Sequence, residues 1–309
     1  PCTHCQLHCP GCPNMDLGHP PGMGWGRLKF DQFRRLIDLN PGIRQVYFHC
    51  FGEVFINKDI APMLDYGAER DIRFSFSSSN FNHVSDAILE RLVRHRVEKV
   101  VVAMDGASAE TYAIYRKKGD LNRILENIRK LNAYKKQYQS ELPKLVMLWV
   151  VFGHNQHEIP RAKRMAKELG MEFSAKMQWD SNYSPIKDKK QLKDERGWEY
   201  STREEISAET GQDYMRKVCH QLWQSPKINW DGSVSGCCWT QQGFGGNVFE
   251  DGLEQAINNP KIVHARRMLS GKAAAREDVP CSECPQYLKR LETGRFITEE
   301  ELDDVPFTP

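Results

Sequence analysis

Three cysteines stand at x3 and x2 spacing in Cys5-Gln6-Leu7-His8-Cys9-Pro10-Gly11-Cys12, on a stretch that Pro10 and Gly11 keep irregular. Soft thiolates set this closely on one loop suit an iron–sulfur cluster or zinc far better than a disulfide framework. Three ligands leave one iron of a four-iron cluster open for chemistry. Adding Cys2 gives C-x2-C-x3-C-x2-C, which a compact zinc site could use, although structural zinc sites usually separate their ligand pairs by a longer spacer. The spacing also departs from the bacterial ferredoxin run C-x2-C-x2-C-x3-C.

The remainder of the chain sets the context for that loop. With 309 residues, 40% hydrophobic and 27% charged, it is long enough for one large domain and a small one. No apolar run approaches a membrane span and no signal-peptide pattern opens the chain, so a soluble, cytoplasmic protein is expected. The formal net charge is +2, with basic and acidic residues interspersed, which argues against a nucleic-acid partner. Of the ten cysteines, four open the chain and five lie between Cys219 and Cys284, leaving Cys50 apart. Metal ligation in a reducing compartment explains that grouping better than disulfides do.

Periodicity alternates along the first two-thirds. Gly18 to Gly26 is rich in Gly and Pro and reads as irregular. Phe30, Phe33, Leu36 and Ile37 then recur at helical spacing until Asn40-Pro41-Gly42 stops them. Strand-like runs follow at Gln45–Cys50, Ile72–Ser77, Lys99–Met104, Leu145–Phe152 and Glu172–Gln178. Helical patterns separate them, as at Ile88, Leu89, Leu92, Val93 and at Leu121, Ile124, Leu125, Ile128, Leu131. This alternation predicts an α/β fold with βαβ units and a parallel sheet, whose working residues lie after the carboxyl ends of the strands. His154 and His157, after the fourth run, read first as loop or helix-cap residues, and Trp179 as a plug or a stacking surface. From Ser181 to Arg216 the chain is charged and weakly periodic, and is expected to be a linker or surface excursion.

A second cysteine group follows. Cys219 precedes Lys227-Ile228-Asn229-Trp230, an Asp231-Gly232 turn and Ser233-Val234-Ser235-Gly236-Cys237-Cys238, which predicts a β-hairpin with thiols on either side. Cys281-Ser282-Glu283-Cys284 adds a C-x2-C pair. Cys219, Cys237, Cys281 and Cys284 would suit either tetrahedral zinc or a fully ligated cluster. Cys50 and Cys238 are spare, and read first as small buried hydrophobes.

The loop Cys5, Cys9, Cys12 resembles the signature of the radical S-adenosylmethionine (SAM) enzymes, in which three cysteines hold a 4Fe-4S cluster whose fourth iron is chelated by SAM. The strand ends carry the resemblance further. Gly52-Glu53 resembles the core of that family's Gly-Gly-Glu-Pro stretch, although Phe51 and Val54 replace the outer residues. Ser77-Ser78-Ser79-Asn80 stands where relatives carry a polar strand end, with Ser78 and Asn80 implied near SAM. Asp105-Gly106, Glu110-x-Tyr112 and Arg116 match a further stretch, and Arg116 is implied as a partner of the SAM carboxylate. Singly these residues also have plain structural readings: Glu53 as a helix cap, Asp105-Gly106 as a turn, Arg116 as a solvated helix residue.

The implied architecture is a partial (β/α)6 barrel over residues 1–180, a charged linker at 181–216, and an auxiliary-cluster domain of the SPASM or twitch type at 217–309. Five strands are visible, and because the chain begins at Pro1 with the loop already under way, a sixth, leading strand is expected to precede it. No cysteine follows Cys284, which resembles the twitch form with a single auxiliary 4Fe-4S cluster. The resemblance implies two 4Fe-4S clusters, SAM, and an electron donor of flavodoxin or ferredoxin type. It further implies that SAM is cleaved to a 5′-deoxyadenosyl radical that abstracts hydrogen from a C–H bond.

By similarity to twitch-type dehydrogenases such as the aminocyclitol dehydrogenase of butirosin biosynthesis, the expected substrate is a sugar-like or aminocyclitol alcohol, with the auxiliary cluster accepting an electron. The alternatives are a redox-neutral epimerase, for which Cys50 or Cys238 would supply hydrogen, a maturase acting on a ribosomal peptide, and a zinc-bound scaffold without catalysis. Neither general base nor substrate is legible. One departure from the family is Gly11, where many relatives place a bulkier residue.

Overall fold

The computed structural model describes residues 2–12, 23–48, 51–211, 213–239 and 242–303. Cys50 and the stretch from Gly18 to Gly22 lie outside the described residues. Apart from short pieces at 23–24 and 38–40, which group with the later residues, the chain forms one compact unit up to Arg203 and a second from Glu204 onward.

The first unit is a parallel sheet with helical crossovers. Its strands are β1 (Gln45–Phe48), β2 (Arg73–Ser79), β3 (Lys99–Ala103), β4 (Lys144–Val151) and β5 (Met171–Met177), in spatial order β1-β2-β3-β4-β5. Its helices are α1 (Phe30–Leu39), α2 (Ile60–Ala68), α3 (Asp86–Arg94), α4 (Ala109–Tyr115), α5 (Leu121–Gln137), α6 (Ile159–Glu168) and α7 (Lys189–Arg196).

Local chemistry explains the boundaries. Ser85, Ser108 and Asp120 sit in extended backbone and accept hydrogen bonds from Ile88 N, Thr111 N and the Asn122 and Arg123 amides, so α3, α4 and α5 each begin on a side-chain cap. The central strand β3, Lys99-Val-Val-Val-Ala103, is β-branched and buried, as a strand covered on both faces should be. Rings of Phe74, Phe48, Phe76, Phe55 and Phe81 pack in that order at centroid separations of 4.9–5.7 Å within the core of the first unit.

The charged stretch 181–216 differs from its expectation. It carries α7 and then α8 (Arg203–Thr210). Asp188 caps α7 by accepting from Gln191 N, Leu192 is buried in the core of the first unit, and Lys163 pairs with Glu195 at 2.7 Å. A helix anchored by one apolar side chain shows no 3.6-residue period, because the rest of its surface faces water.

In the second unit a single 3-10 turn, Arg216–His220, carries Cys219 and leads into α9 (Gln221–Gln224). β6 (Lys227–Ile228) pairs antiparallel with β7 (Val234–Gly236), which is the expected hairpin with shorter arms. Its turn depends on Gly232 at φ +86, where a Cβ would meet Asn247 Oδ1 at 2.3 Å and the Phe249 ring at 2.4 Å. Helices α10 (Leu253–Ile257), α11 (Pro260–Leu269), α12 (Pro285–Thr293) and α13 (Glu299–Asp303) complete the unit. Cys284 is the cap residue of α12, and Pro285 supplies its first turn.

Candidate active site

The cysteine loop is fixed against the ends of β1 and β2 by backbone contact. Glu53 N donates to His4 O at 2.7 Å, and the adjoining Gly52 has no room for a side chain: a Cβ there would stand 2.3 Å from His4 O and 2.6 Å from the Thr3 carbonyl carbon. On its other side the loop is tied by His8 N to Lys117 O at 3.0 Å.

Glu53 is 1% exposed and accepts three hydrogen bonds, from Phe55 N at 3.2 Å, Ser79 Oγ at 2.8 Å and Asn80 N at 2.6 Å. Burial pushes its carboxyl above the ordinary range, while those donors and the nearby Arg116 pull the other way. Glu53 thus caps the turn Val54–Ile56, and it joins the loop to the end of β2. Asn80 continues the chain of contacts, donating from Nδ2 to Cys5 Sγ at 3.6 Å and accepting from Gln6 Nε2 at 2.7 Å. Ser78 is half-buried and has no hydrogen bond among the described residues; Ser79 is the serine that reaches Glu53.

Asp105 and Arg116 form the second half of the site. Asp105 is fully buried at φ 55, its Oδ2 accepting from Arg116 Nε at 2.7 Å and its Oδ1 from Val150 N at 2.6 Å. Arg116, its side chain 15% exposed, also directs Nη1 at Cys9 Sγ at 3.8 Å. Burial alone would lower the Arg116 pKa, but Asp105 and the Cys9 thiol raise it above its ordinary value, so it stays a cation. Arg116 is thus a buried ion-pair partner and not a solvated helix residue. Asn155 and Glu158, which the sequence reading passed over for His154 and His157, complete this half. Asn155 Nδ2 donates to the Asp105 and Val150 carbonyls at 3.0 and 2.9 Å, and Glu158 Oε2 accepts from Ala107 N at 2.7 Å.

Beyond the ion pair stands an aromatic wall. Tyr115, Phe152 and Tyr183 pack at centroid separations of 4.5–5.9 Å, with His154 stacked on Phe152. His157 is exposed, and Trp179, 57% exposed, lies under the Arg203 guanidinium at 3.8 Å. Ser184 organises the polar edge of the wall. Its Oγ accepts from His154 N at 3.1 Å and meets His154 Nδ1 at 2.9 Å, and its carbonyl accepts from Gln178 Nε2 at 3.0 Å. With the serine proton donated to Nδ1, the ring proton of His154 resides on Nε2. Both His154 Nε2 and Gln178 Oε1 are buried without a hydrogen-bond partner.

The donor sets fit iron–sulfur clusters. Burial drives the Cys5 thiol up to about 12 and raises Cys9, and the three loop thiols are mutual neighbours whose negative charges would repel. A bound metal cluster is what makes such thiols anionic. Cys2 stands apart, its thiol buried against the His4 carbonyl and Arg27.

In the second unit Cys219, Cys237, Cys281 and Cys284 are likewise mutual neighbours, with burial raising Cys281 and Cys284 and driving Cys219 up to about 12. Cys238 is half-buried and directs its backbone N–H to Gln221 Oε1 at 2.7 Å. Among the described residues no three His, Cys, Asp or Glu side chains are gathered at single-ion spacing, whereas a tetrahedral zinc with bonds of about 2.3 Å needs its thiolates within about 4 Å of one another. No described helix is long and apolar enough to cross a membrane.

Comparison with known proteins agrees with this geometry. The family model described as the radical SAM superfamily matches residues 1–166, and the model described as an iron–sulfur cluster-binding SPASM domain matches residues 219–285. The AdoMet-dependent heme synthase of Methanosarcina barkeri is 27% identical over 168 residues, which are 54% of this chain and 45% of that protein. The chain thus spans less than half the length of this curated relative.

Among solved structures, SuiB of Streptococcus suis bound to S-adenosylmethionine gives a TM-score of 0.63 at 14% identity, covering 93% of this chain and 69% of its own. Native anSMEcpe with bound AdoMet gives 0.59 at 14% identity, covering 94% of each chain. BtrN in complex with AdoMet and 2-DOIA gives 0.51 at 12% identity, covering 92% and 89%. These likenesses show the fold. With a SAM-binding 4Fe-4S cluster implied at its N-terminal domain and auxiliary iron–sulfur at its SPASM domain, the chain belongs to the radical SAM superfamily.

Proposed function

We propose that this enzyme oxidises a sugar-like or aminocyclitol alcohol to a carbonyl, with residues 1–180 carrying the SAM site and 217–309 the auxiliary centre. Cys5, Cys9 and Cys12 would hold the SAM-binding cluster, with Gly52, Glu53, Ser78, Asn80, Asp105 and Arg116 around SAM, and Cys219, Cys237, Cys281 and Cys284 would hold one auxiliary 4Fe-4S cluster. When bound, the first cluster and SAM supply a 5′-deoxyadenosyl radical that abstracts hydrogen, and the auxiliary cluster supplies an electron acceptor.

The chain's own residues supply position and dryness. The Asp105–Arg116 pair fixes a cation beside Cys9, and Asn80 steadies Cys5. The aromatic wall of Tyr115, Phe152 and Tyr183 excludes water from the space next to them.

The observation that supports an alcohol substrate is the pair of unpartnered buried polar atoms on the two side chains that bond to Ser184, His154 Nε2 and Gln178 Oε1. A hydroxyl group accepts and donates at once, so a polyhydroxylated ring satisfies both, and a hydrocarbon satisfies neither. A peptide is the second reading. It is supported by the similar folds of anSMEcpe with its Kp18Cys peptide and of SuiB with its precursor peptide SuiA.

The test is an anaerobic assay with SAM and reductant that measures 5′-deoxyadenosine and carbonyl product with aminocyclitols, polyols and sugar nucleotides against short peptides. A cyclic polyol is expected to stimulate both products in equal amounts. His154→Phe, which removes one hydrogen bond worth about 1–1.5 kcal/mol, should raise KM for it by about tenfold with a smaller change in kcat. Stimulation by peptides alone would overturn the alcohol reading.

A further inference from the structure

Arg290 is the buried cation of the second unit. It lies on α12, six residues beyond Cys284, and is 7% exposed. Its Nη2 donates to Arg216 O at 2.7 Å and its Nη1 to Arg295 O at 3.1 Å. Arg216 opens the turn that carries Cys219, so one guanidinium joins the segment holding Cys219 to the helix that Cys284 caps. Nε is buried with no hydrogen-bond partner, and no carboxylate among the described residues pairs with the side chain.

A buried guanidinium without a carboxylate needs another anion. The neighbouring anion-forming group is the Cys219 thiol, which lies on the same short turn as the Arg216 carbonyl that Nη2 holds. A 4Fe-4S centre held by four thiolates is net anionic, and reduction adds one more negative charge. A fixed cation at one ligand therefore favours the reduced form, as does an N–H donated to sulfur.

We infer that Arg290 is a positioning residue of the auxiliary centre, which braces the Cys219 turn against the Cys284 helix and holds its charge at the Cys219 sulfur so that the centre accepts an electron more readily. The inference rests on residues 219–285 binding an iron–sulfur cluster.

The test is a redox titration followed by electron paramagnetic resonance, made in the Cys5→Ala/Cys9→Ala/Cys12→Ala chain so that only the auxiliary centre reports. R290Q and R290K are compared with that parent, with iron content measured on each. R290Q should keep its iron and shift the midpoint potential negative by at least the equivalent of a tenfold change in the reduction equilibrium, 59 mV for one electron. R290K keeps the charge but loses the fork, and should shift less in the same direction. If R290Q fails to load, a negative shift in loaded R290K still supports the assignment. An unshifted potential in the loaded variants, or failure of both to take up iron, would overturn it and leave Arg290 a structural strut. Absence of auxiliary iron from the parent itself would instead overturn the cluster reading of the domain.

Discussion

Asp105→Ala is expected to destabilise the first unit by about 3–5 kcal/mol and to abolish SAM cleavage. Removing one partner of a buried ion pair strands the other charge, and Arg116 would be left a cation with its main partner gone. The substitution also takes away the acceptor for Val150 N and places alanine at φ 55, a conformation that costs a Cβ-bearing residue. Asp105→Asn separates these contributions. Asparagine tolerates the left-handed backbone and still accepts from Val150 N, so it should fold closer to wild type while losing the charge that holds Arg116. Urea denaturation of both variants, alongside 5′-deoxyadenosine yield, checks the order Ala worse than Asn in stability with both impaired in turnover.

Gly52→Ala should displace the cysteine loop while leaving the auxiliary centre intact. The added methyl would stand 2.3 Å from His4 O and 2.8 Å from Cys2 O, both backbone atoms that cannot rotate away. Overpacking of this kind costs about 1–3 kcal/mol. Here the strain falls on the segment that presents Cys5. The expected result is loss of the N-terminal cluster on reconstitution, a fall of about four irons per chain. Gly42→Ala, where a Cβ meets nothing within 4 Å, is the matched control and should keep its iron. Full iron loading in Gly52→Ala would show that the loop is not held by this contact.

The strands were legible because their burial produces long β-branched and aromatic runs: Lys99–Ala103 and Lys144–Val151 lie within one residue of the pattern read from sequence. The cysteine sets were legible as short fixed spacings, and the structure brings the members of each set together. The hydrogen bond from Ser79 to Glu53 was not. A register shift between Phe76 and Ser79 interrupts the alternation of faces, so strand periodicity cannot say which serine points at Glu53. Asn155 and Glu158 went unread for a related reason, since each works by holding backbone at Asp105 and Ala107, and a side chain that serves a distant loop leaves no local pattern. Helix α7 was hidden by having Leu192 as its one buried apolar anchor.

The central claim is two separate iron–sulfur centres, one held by Cys5, Cys9 and Cys12 and one by Cys219, Cys237, Cys281 and Cys284. Iron and acid-labile sulfide measured after anaerobic reconstitution, on wild type and on Cys5→Ala/Cys9→Ala/Cys12→Ala, test it most directly. The account predicts about eight irons per chain in wild type and about four in the triple variant, with matching sulfide. Iron near zero with stoichiometric zinc, or wild-type iron no higher than that of the triple variant, would contradict it.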